Sequence, residues 1–239
     1  MSRFPKVRVV YLGGALLLSV IVSHAQFEGV VETKNLTRDE MGKPNEFVMT
    51  MWIKKDMVKV TNSAIGSAPG TTMIYRNDKK AMWILNDESK TYYSIPQETS
   101  GREPRPPQTN PAVGKLGIKR TRKVRRILGY PAEQILVTRD GQRTEIWGTK
   151  KLRDLSVTLS NALGDRQSGA GDGLTGEITK MGLFPLTSST VIRGKVAESQ
   201  EVTKIEPRTL TPEVFEVPPT YMEERVDPML RGLKEQRQK

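Results

Sequence analysis

Few side chains in this sequence could support catalysis. It contains no cysteine and one histidine, His24, which lies within the first 25 residues. A serine or cysteine nucleophile needs an imidazole to move its proton, and zinc sites draw mainly on Cys and His. Most hydrolytic, zinc and haem chemistry is therefore excluded for any form of the chain that begins after residue 25.

Carboxylates are the remaining chemical possibility, as a glycosidase pair or a Ca²⁺ cage. The nearest candidate is "GDRQSGAGDG", which contains Asp165 and Asp172. It lacks the D-x-D-x-D-G spacing and the closing glutamate of a calcium loop, so we expect a solvated loop. The sequence thus predicts no metal, no cofactor and no enzymatic activity.

A run of cations is the most prominent charged feature of this basic chain, whose formal net charge is +11. No acidic residue lies between Glu103 and Glu133. The run has no interleaved aromatic residues on which bases could stack, and we expect no nucleic-acid partner. Two alternatives stay open, a solvated strand and a ribbon that contacts an anionic envelope surface. The candidate anion contacts are Lys119, Arg120, Arg122, Lys123, Arg125 and Arg126.

The N-terminus predicts export. Residues 1–25, "MSRFPKVRVVYLGGALLLSVIVSHA", have a basic start, an apolar run over 9–22, and small residues Ser23 and Ala25 before a cleavage site. The alternative is a membrane anchor, but the run is shorter than the roughly 20 apolar residues that a bilayer span needs. We expect cleavage between Ala25 and Gln26, a periplasmic or secreted protein, and no transmembrane segment in the mature chain.

The elements that position these residues are mostly strands. Short β-rich runs separated by turn residues lie at 28–36, 46–55, 57–62, 71–77, 80–87 and 90–96, and they predict an antiparallel meander. A Pro-rich surface loop at 96–114 follows within one domain spanning 26–227. The basic strand, a Gly129-Tyr130-Pro131 turn, and strands at 133–138 and 143–149 come next, with Val124 to Leu128 and Ile135 to Val137 expected to reach the core.

One amphipathic helix is predicted over 151–163. Leu152, Leu155 and Leu159 recur at helical spacing, and Thr149 can cap the start. Two more strand-like runs follow, and "TPEVFEVPPTYMEERV" is expected to be a last short strand closed by two prolines. Residues 228–239 form a charged tail and are expected to fray.

The order of these motifs resembles a known exported bacterial family. "FEGVVETKN", "MWIKKDMVKV", "MIYRNDKKAMWILNDESKTYYSI", "RKVRRILGYPAEQILV", "EIWGTKKL", "FPLTSSTVI" and "VFEVPPTYM" look like successive strands of domain of unknown function 4412. The resemblance implies the half-barrel of LolA-like lipoprotein carriers: a mainly β fold with a minor α part, in which one or two helices lie on the concave face of a curved antiparallel sheet. This chain departs from many members in carrying Ala132 in place of a cysteine, and it has no lipobox.

Two classes of function stay open. The first is a binding protein that holds a lipid, a lipoprotein acyl chain or another apolar ligand in the concavity, where flexible methionines suit a variable guest. The second is an envelope structural or interaction protein that uses the basic ribbon. In the first class the alternative is that these side chains simply fill the core under the helix. The candidate ligand-binding residues are Phe47, Met49, Met51, Met73, Met82, Trp83 and Trp147.

Overall fold

The computed structural model describes residues 26–39, 41–64, 70–96, 116–163 and 174–224. The expected signal peptide at 1–25, the Pro-rich loop after Pro96, the Asp165 and Asp172 loop, and the tail at 228–239 lie outside these ranges.

Twelve strands in the described ranges form one curved, unclosed sheet. They are β1 (Glu28–Arg38), β2 (Pro44–Lys54), β3 (Met57–Ala64), β4 (Thr72–Arg76), β5 (Ala81–Asn86), β6 (Thr91–Pro96), β7 (Gly117–Ile127), β8 (Tyr130–Arg139), β9 (Gln142–Thr149), β10 (Phe184–Ile192), β11 (Lys195–Pro207) and β12 (Met222–Glu224). Their order is β12-β6-β5-β4-β3-β2-β1-β11-β10-β9-β8-β7. All pairs are antiparallel except β12 with β6. The predicted mainly β fold class is confirmed.

The expected helix follows β9 directly. A 3-10 turn at Lys150–Leu152 leads into α1 (Arg153–Leu163), and the Thr149 side chain accepts a hydrogen bond from the Lys151 amide. A second helix, α2, spans Leu174–Lys180. None of the helices in the described ranges has the length and apolar character needed to cross a membrane.

The sheet is packed on both faces because neighbouring residues of a strand point to opposite sides. The 3-10 turn buries Leu152 and helix α1 buries Leu155 in the main cluster, together with Val31 and Met51. We call this side the α1 face. The opposite, outer face carries a second cluster over β1, β4 and β5 around Ile74. A third cluster lies over β8 and β9 and includes Ile178 of α2.

The tight turn before β8 differs from the prediction. Leu128 and Gly129 form it, both with positive φ, and Tyr130 and Pro131 already belong to β8. Val124 is 62% exposed and Leu128 is also exposed, so the expectation that both reach the core is wrong. Ile127 packs against the main cluster instead. A register shift between Arg120 and Val124 disturbs the alternation of the edge strand at Val124, and Leu128 lies in the turn beyond its last paired residue.

The segment at 208–221, here called the C-terminal strap, is not the expected strand. It contains a 3-10 helix at Pro212–Phe215, and the three-residue strand β12 comes after the prolines. Phe215 is fully buried in the outer cluster, and buried Arg76 donates to the Phe215 carbonyl and to the Glu216 carboxylate. Side-chain anchoring thus replaces strand pairing over most of the strap.

Candidate functional site

Methionines line the α1 face on three strands. Met49, Met73 and Met82 come from β2, β4 and β5, and each is partly buried against the main cluster. Met51 and Trp147 are buried in the same cluster. The structure therefore brings together five of the seven predicted apolar residues in or against one cluster.

The other two predicted residues lie outside this cluster. Trp83 packs in the outer cluster, so its expected position beside Met82 is wrong: consecutive residues of β5 must point to opposite faces. Phe47 shares the strand parity of Met49 and Met51 and is half-buried, but it belongs to none of the three clusters.

Polar groups interrupt this apolar face. Thr33 and Asn35 are buried on β1, and the Asn35 side-chain amide donates to Thr33 Oγ1 at 2.9 Å. Asn62 lies opposite Met49 in the β2–β3 register, and its Oδ1 atom is buried without a hydrogen-bond partner among the described residues. Tyr75, also buried here, has a pKa raised by burial, and its hydroxyl lies 3.6 Å from the Met73 sulfur. The face is thus apolar with isolated polar points.

A polar network surrounds Trp147 at the β7–β9 end of the main cluster. The Trp147 indole donates to Glu145 Oε1 at 2.6 Å, and the Arg125 guanidinium carbon lies 4.2 Å from the centre of the Trp147 ring. Thr121 donates to Gln134 Oε1 at 2.7 Å. Hydrogen bonds from Trp147 and then Gln134, together with nearby cations, lower the pKa of Glu145. We call these five residues the Glu145 network.

An open cleft of about 290 Å³ adjoins the Glu145 network. Besides Arg125, Glu145 and Trp147 it is lined by hydroxyl, amide and carboxylate groups on β10 and β11. Arg125 donates to Thr187 Oγ1 at 3.2 Å, which spans the cleft from the edge strand to β10. The sequence signal for this network is Glu145-x-Trp147, because residues two apart in a strand share a face.

The predicted basic run forms β7, the terminal strand of the sheet, and all six candidate cations are exposed. These six cations differ in the contacts that their side chains make. Arg125 is engaged with Trp147 and Thr187, and Arg126 donates to the Gly129 carbonyl at 3.1 Å. Arg122 lies in the irregular stretch with a φ of +63°. The cations that face solvent with the fewest contacts are therefore those of the first half of β7.

The site offers hydrogen-bonding and charged groups beside an aromatic ring. Both Glu145 and Arg125 are held by neighbouring side chains. Within the described ranges no group of three or more carboxylate, His or Cys residues could hold a metal ion. The arrangement suits recognition of an apolar molecule with a polar end.

The comparisons with known proteins give one family and several structures. The family model described as domain of unknown function (DUF4412) matches residues 27–221. No curated protein matches the chain. An uncharacterized conserved protein from Thermus thermophilus is similar in structure with a TM-score of 0.46 and 13% identity, over 83% of this chain and 91% of that chain.

Two further solved structures are more distant. MucB in complex with MucA(peri) gives a TM-score of 0.38 and 11% identity, over 82% of this chain and 57% of that chain. A LolA superfamily protein from Nitrosomonas europaea gives a TM-score of 0.33 and 9% identity, over 80% of this chain and 91% of that chain.

Proposed function

This chain belongs to the family of domain of unknown function 4412, and from that premise we propose that it is an exported, non-enzymatic binding protein. Its ligand is a lipid, an acyl chain or a comparable apolar molecule, held against the α1 face. Export is supported by the basic start, the apolar run and the Ser23-x-Ala25 exit of the sequence.

The observation that carries the proposal is the partial burial of the three methionines. Met49, Met73 and Met82 pack against the main cluster and remain partly exposed. Unbranched thioether side chains adapt to guests of different shape, and a guest that covered them would remove further apolar area from water.

Asn62 favours a ligand that carries a hydrogen-bond donor. A buried side-chain oxygen without a donor costs free energy, and a ligand hydroxyl or amide N–H would satisfy it. Since Asn62 lies opposite Met49, this group would sit beside the apolar part of the ligand.

A fluorescent fatty acid displaced by unlabelled lipid tests the proposal. Replacing Met82→Gln places an amide in the apolar contact, and we expect affinity to fall about tenfold, because burying one such side chain contributes roughly 1.5–3 kcal/mol. Met82→Leu should retain binding because it conserves volume and polarity. Met222→Gln is the matched control, as Met222 is 71% exposed on β12.

Equal loss of affinity in the Met82→Gln and Met222→Gln variants, at unchanged melting temperature, would contradict binding at this face. Saturable binding that no substitution at Met49, Met73 or Met82 changes would place the ligand elsewhere.

A second candidate function rests on the exposed cations of β7. In this alternative the chain is an envelope interaction protein whose edge strand contacts an anionic partner. Arg125 is unsuitable for the test because its loss would also disturb Trp147. Exchange of Arg120, Arg122 and Lys123 for Gln should abolish salt-sensitive binding of polyglutamate and leave the melting temperature within about 1–2 °C, since exposed charges contribute little to stability. Unchanged binding by the triple variant would make β7 a solubilising strand.

A further inference from the structure

Two turns lie side by side at the end of the sheet opposite α1. The β1–β2 turn lies between Arg38 and Pro44, and its described residues are Asp39, Met41, Gly42 and Lys43. Arg193 and Gly194 form the β10–β11 turn. Arg38 joins them: its Nε donates to the Val196 carbonyl at 2.8 Å and its Nη1 donates to the Gly42 carbonyl at 2.9 Å. Helix α1 starts near the Phe184 end of β10, whereas this turn follows Ile192 at the other end.

Both turns are locally fixed. In the first, the Lys43 amide donates to Asp39 Oδ1 at 2.8 Å and the Gly42 amide donates to the Asp39 carbonyl at 2.9 Å. In the second, Arg193 and Gly194 both have positive φ, as expected of a two-residue hairpin turn that matches the strand twist. The side chains that the turns carry are therefore presented in a defined arrangement.

Apolar side chains are displayed on these turns. Met41 is 90% exposed, and Ile192 and Val196 flank the second turn and are also exposed. A lone exposed apolar residue needs no explanation, but here three lie within two joined turns. Ile192 and Val196 lie on opposite faces of their hairpin, so the three side chains surround the end of the joined turns, which we call the apolar tip.

Cations surround this tip. Lys43, Arg193 and Lys195 are exposed, and Arg38 lies between the turns. The acidic groups of the first turn are Asp39, which accepts from the Lys43 amide, and by sequence Glu40. The cations therefore outnumber the acids, and apolar tips ringed by cations are complementary to an anionic lipid surface.

We propose that the two turns form a docking surface for an anionic bilayer, here called the turn surface. Met41, Ile192 and Val196 enter the interfacial region while Lys43, Arg193 and Lys195 contact lipid phosphates. This docking does not require a ligand on the α1 face, and it uses the end of the sheet remote from α1.

The test compares dye-labelled variants of the exported protein on vesicles of equimolar phosphatidylcholine and phosphatidylglycerol. The chain has no cysteine, so Met41→Cys gives a single labelling site for an environment-sensitive dye. Asp56→Cys is the control, because Asp56 is exposed at the turn between β2 and β3, at the opposite end of β2. We expect a blue shift at position 41 and none at position 56, and no shift at either position on pure phosphatidylcholine.

Replacing Lys43, Arg193 and Lys195 with Gln should weaken vesicle partitioning about a hundredfold, since each cation near an anionic surface contributes about fivefold. Partitioning of the wild-type protein should fall steeply as salt is added. Equal shifts at positions 41 and 56 would overturn the proposal. So would salt-insensitive partitioning, or loss of partitioning only when the β7 cations are replaced.

Discussion

Leu155→Ala tests whether α1 is part of the core that forms the binding face. Leu155 is 1% exposed and packs in the main cluster with Val31 and Met51. Truncating a fully buried leucine removes its transfer free energy and leaves a cavity, which costs about 2–5 kcal/mol. For a domain of this size each kcal/mol lowers the melting temperature by roughly 2–4 °C, so we expect a decrease of about 5–15 °C.

The matched control is Val157→Ala on the same helix. Val157 is 40% exposed, and alanine has the higher helix propensity, so the melting temperature should change by less than about 2 °C. Thermal unfolding followed by far-ultraviolet circular dichroism, with urea unfolding to check that the m-value is unchanged, measures both variants. Equal melting temperatures for the two variants would remove α1 from the core and refute the assignment of the α1 face.

Three further outcomes are expected. Arg76→Met should lower the free energy of unfolding by about 2 kcal/mol, less than for a fully buried pair because the partners Asp78 and Glu216 are partly exposed; chemical denaturation measures it. The pKa of Glu28 is lowered chiefly by a hydrogen bond from the Leu210 amide, and the pKa of Asp78 is lowered chiefly by hydrogen bonds from Arg76. Burial alone would raise the pKa of Glu216, but hydrogen bonds from Lys79 and Arg76 leave it lowered. The stability these carboxylates contribute is therefore present above about pH 4.5 and lost as the pH falls through the lowered values, and a strap that loosened first on raising the pH would contradict this. N-terminal sequencing of protein from the envelope fraction should begin at Gln26, and intact Met1 in that fraction would refute cleavage.

Local order could be predicted from the sequence. The predicted strands in the first half agree with β1 to β6 to within about two residues, because alternation and turn residues act over short distances. The same holds for the cap at Thr149 and for the turn at Asp140 and Gly141, two residues with positive φ.

Non-local pairing could not be predicted in this way. In the middle of the sheet β1 pairs with β11, although these two strands are far apart in sequence. The C-terminal strap shows the same limit: "VFEV" has strand propensity, but Phe215 is buried in the outer cluster and Arg76 holds the neighbouring Glu216. Tertiary contacts override local propensity in both places.

The candidate site was predictable only in part. The shared face of Met49 and Met51 follows from strand alternation. Trp83 was assigned to the wrong face because it was chosen by residue type and not by its parity relative to Met82. Arg125 on β7 contacts Trp147 on β9 across the intervening strand β8. The alternation of residues within a strand does not predict a contact between two strands that are not neighbours.

The most direct test of the binding function is native mass spectrometry of the protein purified from the envelope fraction without added lipid. We expect a species heavier than the polypeptide by the mass of one lipid or fatty acid, which organic extraction recovers. A double variant with Met49→Gln and Met82→Gln is prepared in the same way and shown by circular dichroism to be folded. Its mass should be that of the polypeptide without lipid. The proposed function would be contradicted if the wild-type protein carried no lipid and also failed to take up fatty acid or phospholipid on incubation.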